Sequence, residues 1–198
     1  MKTVIISNFG TANNYIKDAL SDLQPCQVEN HTWYKGKFYT KELYLIELDE
    51  RNHNLDELLD VLVIDGRITN VISIGLASPL PGHIRPGDVL INDFPKGSCQ
   101  NLLDAFLDQP GEEEEEPLRI FAGTIISQVD EENSNGGSLT CLDPSCARLI
   151  SLMTNKGLAV LAVRILTPEA DENNLDVEIM ANVVQKLLAL IKKSLERA

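Results

Sequence analysis

None of the apolar runs in the 198 residues approaches the roughly 20 residues that a membrane-spanning helix needs, which excludes a transmembrane protein. The chain opens Met1-Lys2 and passes directly into Thr3-Val4-Ile5-Ile6, without the small-residue cleavage site of a secretory signal, so a cytoplasmic protein is expected. There is no CxxC pair: the four cysteines (Cys26, Cys99, Cys141, Cys146) have only His31, His53 and His83 to join them, and structural zinc lacks its ligand spacing. Neither a metal nor a cofactor is expected, and the thiols read as reduced and packed. Basic residues are few, 17 Lys+Arg against 30 Asp+Glu, and the net charge of −13 opposes any approach to nucleic-acid phosphates. A small neutral ligand or an oligomeric partner remains compatible, because acidic residues can stay on solvated faces.

What the chain does have is 43% apolar residues in an ordered alternation of strand and helix patterns, at a length that suits one domain, residues 1–198. Residues 2–6 read as a central strand buried on both faces. A helix with Tyr15, Ile16, Ala19 and Leu20 on one face follows, with Thr11 or Asn13 available as N-cap. The β-formers between Val28 and Leu48 predict antiparallel hairpins, with turns at Lys35-Gly36-Lys37 and Lys41-Glu42. Leu55, Leu58, Leu59 and Leu62 predict a helix capped by Asn54 and stopped near Gly66. Strands are expected at 70–75, 88–91, 118–126 and 158–166, and a short helix around Leu102, Leu103, Phe106 and Leu107. Glu112 to Glu116 reads as a surface loop, and 130–138 as another. Asp143-Pro144 is a good N-cap and N1 pair for a helix that stops near Gly157. A last helix carries Val177, Met180, Val184, Leu187, Leu188, Ile191 and Leu195 at helical spacing. The fold class that follows is three-layer α/β, a mixed and mainly parallel sheet with helices on both faces.

In such a sheet, ligands bind where strands end and loops begin, so the segments after Ile6, Ile74, Ile126 and Leu166 matter most. From its residues alone, Gly75-Leu76-Ala77-Ser78 lacks GxGxxG and a Walker lysine and reads as a tight turn. Its context resembles something more specific. Gly75, Ala77, Leu80, Gly87, Asp88, Val89 and Asp93 fall in the register of the signature T-G-x-A-G-G-L followed by G-D-V-V-x-x-D. That signature belongs to the purine nucleoside phosphorylase and methylthioadenosine/S-adenosylhomocysteine nucleosidase family. Three further stretches agree in order: Gly123 to Ser127 is similar to the strand before the family's S-G-D, Leu142 to Ala147 to D-M-E-x-A, and Arg164 to Asp171 to R-x-I-S-D-x-A-D.

The resemblance implies a phosphorylase/hydrolase-like fold and a crevice for a nucleoside, formed by Gly75, Leu76, Ala77, Ser78, Ser127, Asp143, Ser145, Arg164 and Thr167. It also implies roles for three acids: one protonates the leaving purine, one activates water and one holds the ribose hydroxyls. Glycosidic cleavage passes through an oxocarbenium-like state, so such groups lower its barrier. Here the purine-protonating position is Pro168, which has no proton to give, and the ribose glutamate is Ser145, which brings no charge. The first loop, Ser7-Asn8-Phe9-Gly10-Thr11, carries no acid, and the S-G-D segment is Ser127-Gln128-Val129.

Glu169, Asp171 and Glu172 are candidates for a relocated acid, against a plainer reading as solvated loop carboxylates. Asp143 reads as a ribose contact or a helix cap, and Arg164 as a site-orienting group or one half of a structural ion pair. Cys146 stands on a first helical turn, where a thiol pKa can fall, although packing is the simpler role. Trp33 and Tyr34 read as hairpin packing or a subunit contact before base stacking. Val177 and Val184, with Ile179, Val183 and Leu190, put apolar residues on two sides of the last helix, which a homodimer contact or another element of the same chain would explain. The expected function is a non-catalytic nucleoside or small-ligand binding protein. The alternative is a diverged enzyme cleaving the N-glycosidic bond of a purine nucleoside, either hydrolytically or with phosphate.

Overall fold

A computed structural model of the chain describes residues 2–28, 31–38, 40–48, 55–64, 68–80, 85–92, 104, 118–128 and 139–197. The strands are β1 Lys2–Ser7, β2 Ser21–Val28, β3 His31–Phe38, β4 Lys41–Glu47, β5 Ile68–Pro79, β6 Val89–Asn92, β7 Ile120–Ile126, β8 Thr140–Leu142 and β9 Ala159–Leu166. The helices are α1 Gly10–Ala19, α2 Leu55–Ile64, α3 Pro144–Asn155 and α4 Val177–Arg197, with short 3-10 turns at Pro168–Ala170 and Glu172–Asn174. No described helix is long and apolar enough to cross a membrane.

The strands form one sheet of nine in the order β2-β3-β4-β1-β5-β8-β7-β6-β9, and β9 returns to pair with β5. The last five strands of that order therefore close a ring. The pairs β1–β4, β1–β5, β5–β9, β6–β7 and β7–β8 are parallel, while β2–β3, β3–β4, β5–β8 and β6–β9 are antiparallel. Successive side chains of a strand point to opposite faces, and β1 divides accordingly. Ile5 joins Phe9, Ala12 and Ile16 of the α1 segment and Met180, Val184, Leu187 and Ile191 of α4 in one core. Val4 and Ile6 join Leu59 of α2 and Leu149 and Met153 of α3 in the other. Helices on both faces make the expected three layers. Ala77, Leu90, Cys141 and Leu166, contributed by four strands of the ring, form a third buried cluster.

Most elements fall where their apolar periodicity puts them, and the departures have local causes. Helix α1 starts earlier than expected, with Phe9 rather than Thr11 or Asn13 at the N-cap; the Phe9 N–H donates to Ser7 Oγ at 3.2 Å. Lys35-Gly36-Lys37 lies inside β3 instead of turning. A Cβ on Gly36 would stand 3.0 Å from Leu20 Cβ and 3.2 Å from Ser21 O, so this glycine permits close packing under the strand. Likewise Gly75 to Ser78 continues β5 rather than turning, because β9 supplies partners as far as Ala77 and β8 takes over at Ser78. Pro79 is tolerated at the strand's last position. Strand β2 extends back to Ser21 although it contains Pro25; it is an edge strand, where an absent N–H is tolerated. Strand β8 was not expected. Asp176 caps α4 by accepting the N–H groups of Glu178 at 2.8 Å and Ile179 at 3.4 Å.

On α4, Val183 and Val184 are buried within the chain, whereas Val177 is 80% exposed and Ile179 45%. The expected Asn54 cap, the Gly66 stop, the helix of Leu102 to Leu107, the Glu112 to Glu116 run and the 130–138 loop lie outside the described residues.

Closure of the ring makes one glycine indispensable. A Cβ on Gly123 would stand 2.3 Å from the backbone oxygen of Leu139, which accepts the Thr124 N–H at 2.9 Å. Gly123→Ala is expected to destabilise the fold by about 2 kcal/mol in urea unfolding, since backbone rather than a side chain must yield. Gly75→Ala is expected to cost less, because its nearest obstacle is Asn8 Oδ1, the end of an exposed side chain, at 2.7 Å. The opposite order would contradict this account of the ring.

Candidate functional site

The carboxyl end of β1 delivers Asn8, the upper half of β5 delivers Leu76, and β8 runs through Leu142 into the first turn of α3. Together with Pro144, Ser145 and Ala170, they line a cavity of about 260 Å³. Asp143 forms its charged wall.

Asp143 is the N-cap of α3, and its position follows from local chemistry. An extended residue before a proline, with a short carboxylate, is suited to close a helix start. Its Oδ1 accepts the Cys146 N–H at 3.0 Å and the Ser145 hydroxyl at 2.6 Å. Its Oδ2 accepts Nε of Arg164 at 2.6 Å. Arg164 is 3% exposed and donates further to Ser73 O (2.9 Å) and Val163 O (2.8 Å) through Nη1, and to Ser73 Oγ (3.0 Å) through Nη2. The guanidinium thus ties β9 to β5 and to the start of α3. Gly75 is the register partner of Arg164, and a Cβ there would lie 3.4 Å from the guanidinium carbon.

These contacts set the protonation state of the site. Burial alone would raise the Asp143 pKa, but the Arg164 charge, the Ser145 hydroxyl and the Cys146 N–H together hold it below the ordinary carboxylate value. Asp143 is therefore an anion at neutral pH. The neighbouring thiols move the other way: burial pushes Cys141 up to about 12 and Cys146 up to about 11, so the helix start does not activate Cys146.

Of the residues anticipated from sequence, Leu76, Asp143 and Ser145 face the cavity. Arg164 lies behind Asp143, and Gly75, Ala77 and Ser78 belong to β5. Thr167 is fully buried; its N–H donates to Ala77 O at 3.1 Å, while its Oγ1 has no hydrogen-bond partner among the described residues. Ser127 is exposed beyond the end of β7. Glu169 is exposed, and Asp171 turns its Oδ1 to Asn173, accepting N–H at 2.9 Å and Nδ2 at 2.8 Å. Nothing is described of the Glu172 side chain, and His53 and His83 lie outside the described residues. Trp33 is 7% exposed and packs in the core beside Val4 and Ile6. Asn8, Leu142, Pro144 and Ala170 were not anticipated as cavity residues, although Asn8 and Ala170 lie in the segments after Ile6 and Leu166, from which loop residues reach such a crevice.

No family model matches the sequence, and no curated protein matches it. Solved structures do match, over almost the whole chain. A 5'-methylthioadenosine/S-adenosylhomocysteine nucleosidase from S. pneumoniae, held with the transition-state inhibitor MT-ImmA, superposes with a TM-score of 0.71 at 16% identity, covering 97% of this chain and 99% of that one. The chain has the nucleosidase fold. A nucleosidase of the same type from Colwellia psychrerythraea 34H, in complex with adenine, gives 0.71 at 13% identity over 99% of this chain and 95% of that one. A Helicobacter pylori futalosine hydrolase mutant gives 0.69 at 11% identity over the full length of both. The nucleosidase fold thus carries a buried, ionised Asp143–Arg164 pair in this chain.

Two predictions follow from the pair and the thiols. Asp143→Asn is expected to destabilise the protein by about 3 kcal/mol at pH 7, because it leaves a buried guanidinium without its counter-charge. The folded-state pKa of Asp143 is lowered, so its contribution is complete above the unfolded value of about 3.9 and disappears as pH falls through the lower folded value. The difference between wild type and variant in denaturant melts should therefore be constant above about pH 5 and shrink only in stronger acid. In native protein at pH 8, iodoacetamide should spare Cys141 and Cys146 while labelling half-exposed Cys26, as peptide mass spectrometry would show; equal labelling of all three would contradict their burial.

Proposed function

We propose that this chain binds a nucleoside or a similar small molecule in the Asp143 cavity without cleaving it. The observation that carries this reading is the state of Asp143. Among the described residues lining the cavity it is the only carboxylate, and it is ionised and already accepts three hydrogen bonds. A group in that state holds no proton to pass to a departing purine. Pro168 has none to offer either, and loss of general acid catalysis costs about 100- to 10,000-fold in rate. Binding needs less: Asn8 supplies amide donors and acceptors, Leu76 and Leu142 an apolar wall, and the Asp143 oxygens a fixed negative edge. The adenine and inhibitor complexes of the neighbouring structures support a ligand of this class.

A second reading, N-glycosidic cleavage with an acid from the 169–172 segment, is favoured by one feature. Glu169 and Ala170 both adopt left-handed backbone, φ 59° and 53°, directly beside the cavity. Non-glycine residues held there store roughly 1–3 kcal/mol each, and such strain collects at functional sites. The Glu169 side chain is nevertheless exposed and does not line the cavity. A cytoplasmic location belongs to the main proposal, as does a homodimer, for which the exposed Val177 supplies an apolar contact.

The two readings separate in one experiment. Adenosine, inosine, methylthioadenosine and S-adenosylhomocysteine are incubated with the protein, with and without phosphate, and free base is measured beside calorimetric titrations of the same compounds. Saturable heat with base release no faster than the protein-free control is the expected result. Turnover that is lost in Glu169→Gln would establish the enzymatic reading instead.

A further inference from the structure

Within the run Val71 to Leu76 of β5, the one polar side chain is that of Ser73. It is 2% exposed among fully or nearly buried aliphatic neighbours, a place where a hydroxyl is kept only when it is hydrogen-bonded. Strand alternation puts Ser73 and Gly75 on one face. Gly75 is the register partner of Arg164 on β9, and a Cβ there would lie 3.5 Å from Arg164 Nε. The absent side chain leaves room for the guanidinium to reach back along β5 to Ser73.

Ser73 holds that guanidinium at two points: its carbonyl accepts Nη1 at 2.9 Å and its Oγ accepts Nη2 at 3.0 Å. Nη1 also donates to Val163 O at 2.8 Å, and Nε to Asp143 Oδ2 at 2.6 Å. The side-chain acceptors, Ser73 and Asp143, thus hold different nitrogens of one rigid plane, so a turn away from the first is a turn away from the second. The Ser73 hydroxyl is also a hydrogen-bond partner of the Cys146 thiol, against the rise that burial imposes on it. Because the Cys146 N–H donates to Asp143 Oδ1 at 3.0 Å, the path closes on itself through β9, β5 and the first turn of α3. The other titratable groups around Asp143, Cys141 from β8 and Cys146 from α3, are pushed up to about 12 and about 11 and keep their protons. Among the described residues, Arg164 is the charge that acts on the carboxylate.

We infer that Ser73 is a positioning residue of the Asp143 cavity: by holding the Arg164 guanidinium, it fixes the carboxylate that forms the cavity's charged wall. Ser73 is not itself among the residues lining that cavity. Its branch to Cys146 ends on a backbone N–H that α3 keeps in place, so the influence of the hydroxyl on the carboxylate passes through Arg164. What the wall does for a nucleoside rests on the function proposed above; the positioning of Asp143 does not.

The test follows the Asp143 carboxyl carbon by NMR through an acid titration of the full chain. Ser73→Ala is expected to raise its midpoint by about half a unit to one unit, a fraction of the roughly 1–3 units that a close cation supplies. Ser73→Thr, which keeps the hydroxyl on a side chain suited to a strand, should bring the midpoint back toward that of wild type. A serine that served packing alone would lower the melting temperature in Ser73→Ala and leave the midpoint where it was. In an Arg164→Met background, where burial acts without the cation, the added Ser73→Ala should move the midpoint by no more than about 0.3 unit, as when one residue acts through another. That comparison stands without the threonine variant. Calorimetry with adenosine on the same proteins should show binding weakened about two- to tenfold by Ser73→Ala. An unmoved Ser73→Ala midpoint, an equal shift in the Arg164→Met background, a threonine variant no closer to wild type than the alanine, or adenosine binding that Ser73→Ala leaves untouched would each overturn the inference. No adenosine heat with wild type would overturn the nucleoside reading instead and leave Ser73 to be decided by the titrations.

Discussion

The buried contact between Asp143 and Arg164 joins the architecture to the chemistry. Taking both charges out of water costs several kcal/mol per ion, and that cost is offset only when geometry is close and the remaining donors and acceptors are filled. Here both carboxylate oxygens and four of the five guanidinium N–H donors are engaged. Arg164 reaches the carboxylate at 2.6 Å and gives its other bonds to Ser73 and Val163, while Asp143 turns its second oxygen to the first turn of α3. Strands β5 and β9 and the start of α3 are thereby held in one arrangement, at the place where the ring of strands meets the cavity. Gly75 makes room for it, and the upper half of β5 continues through this point because β9 and β8 supply partners in turn.

The same contact decides what the cavity can do. A proton donor for a leaving base needs a pKa near the working pH, reached by burial without a cation close by. Asp143 has the burial, but the Arg164 charge and the hydrogen bonds from Ser145, Cys146 and Arg164 together outweigh it. Its companions are polar without being acidic: an amide such as Asn8 or a hydroxyl such as Ser145 can exchange hydrogen bonds but does not stabilise a developing positive charge as a carboxylate would. The nucleosidase fold is preserved across structures only 11–16% identical to this chain, while Pro168 and Ser145 stand where the resemblance implies a purine-protonating acid and a ribose-holding acid. Fold and chemistry are separable in this way because the fold rests on apolar strands and one ion pair, and the reaction rests on a few side chains at loop ends.

How far the structure was legible in the sequence depended on whether local pattern or distant partners set each element. Strands β1 and β9 and helix α4 are carried by apolar periodicity, and the Asp143-Pro144 cap by two adjacent residues, so all were readable. Gly75 to Pro79 and Lys35 to Lys37 have the composition of turns but lie in strands, since neighbours remote in sequence supply their hydrogen bonds or close packing. Strand β8, three residues long, has no periodicity to read. At the site, the order of motifs pointed to Leu76, Asp143 and Ser145, and the choice between cap and ligand for Asp143 was open until Arg164 was seen against it. Asn8 and Ala170 belong to the segments after Ile6 and Leu166 that strand ends single out, but which residues of those segments meet in one cavity is set by contacts remote in sequence.

On the proposed function, Asp143 is a structural anion at neutral pH rather than a proton donor. Selective carbon-13 labelling of aspartate side chains, with Asp143 assigned through the Asp143→Asn variant, allows its carboxyl resonance to be followed from pH 8 downward by NMR. The account predicts a resonance that stays at its ionised position until the pH is below about 3.9, the ordinary aspartate value. A midpoint between pH 5 and 7 would show a carboxyl poised to exchange protons at neutral pH, and would contradict the account.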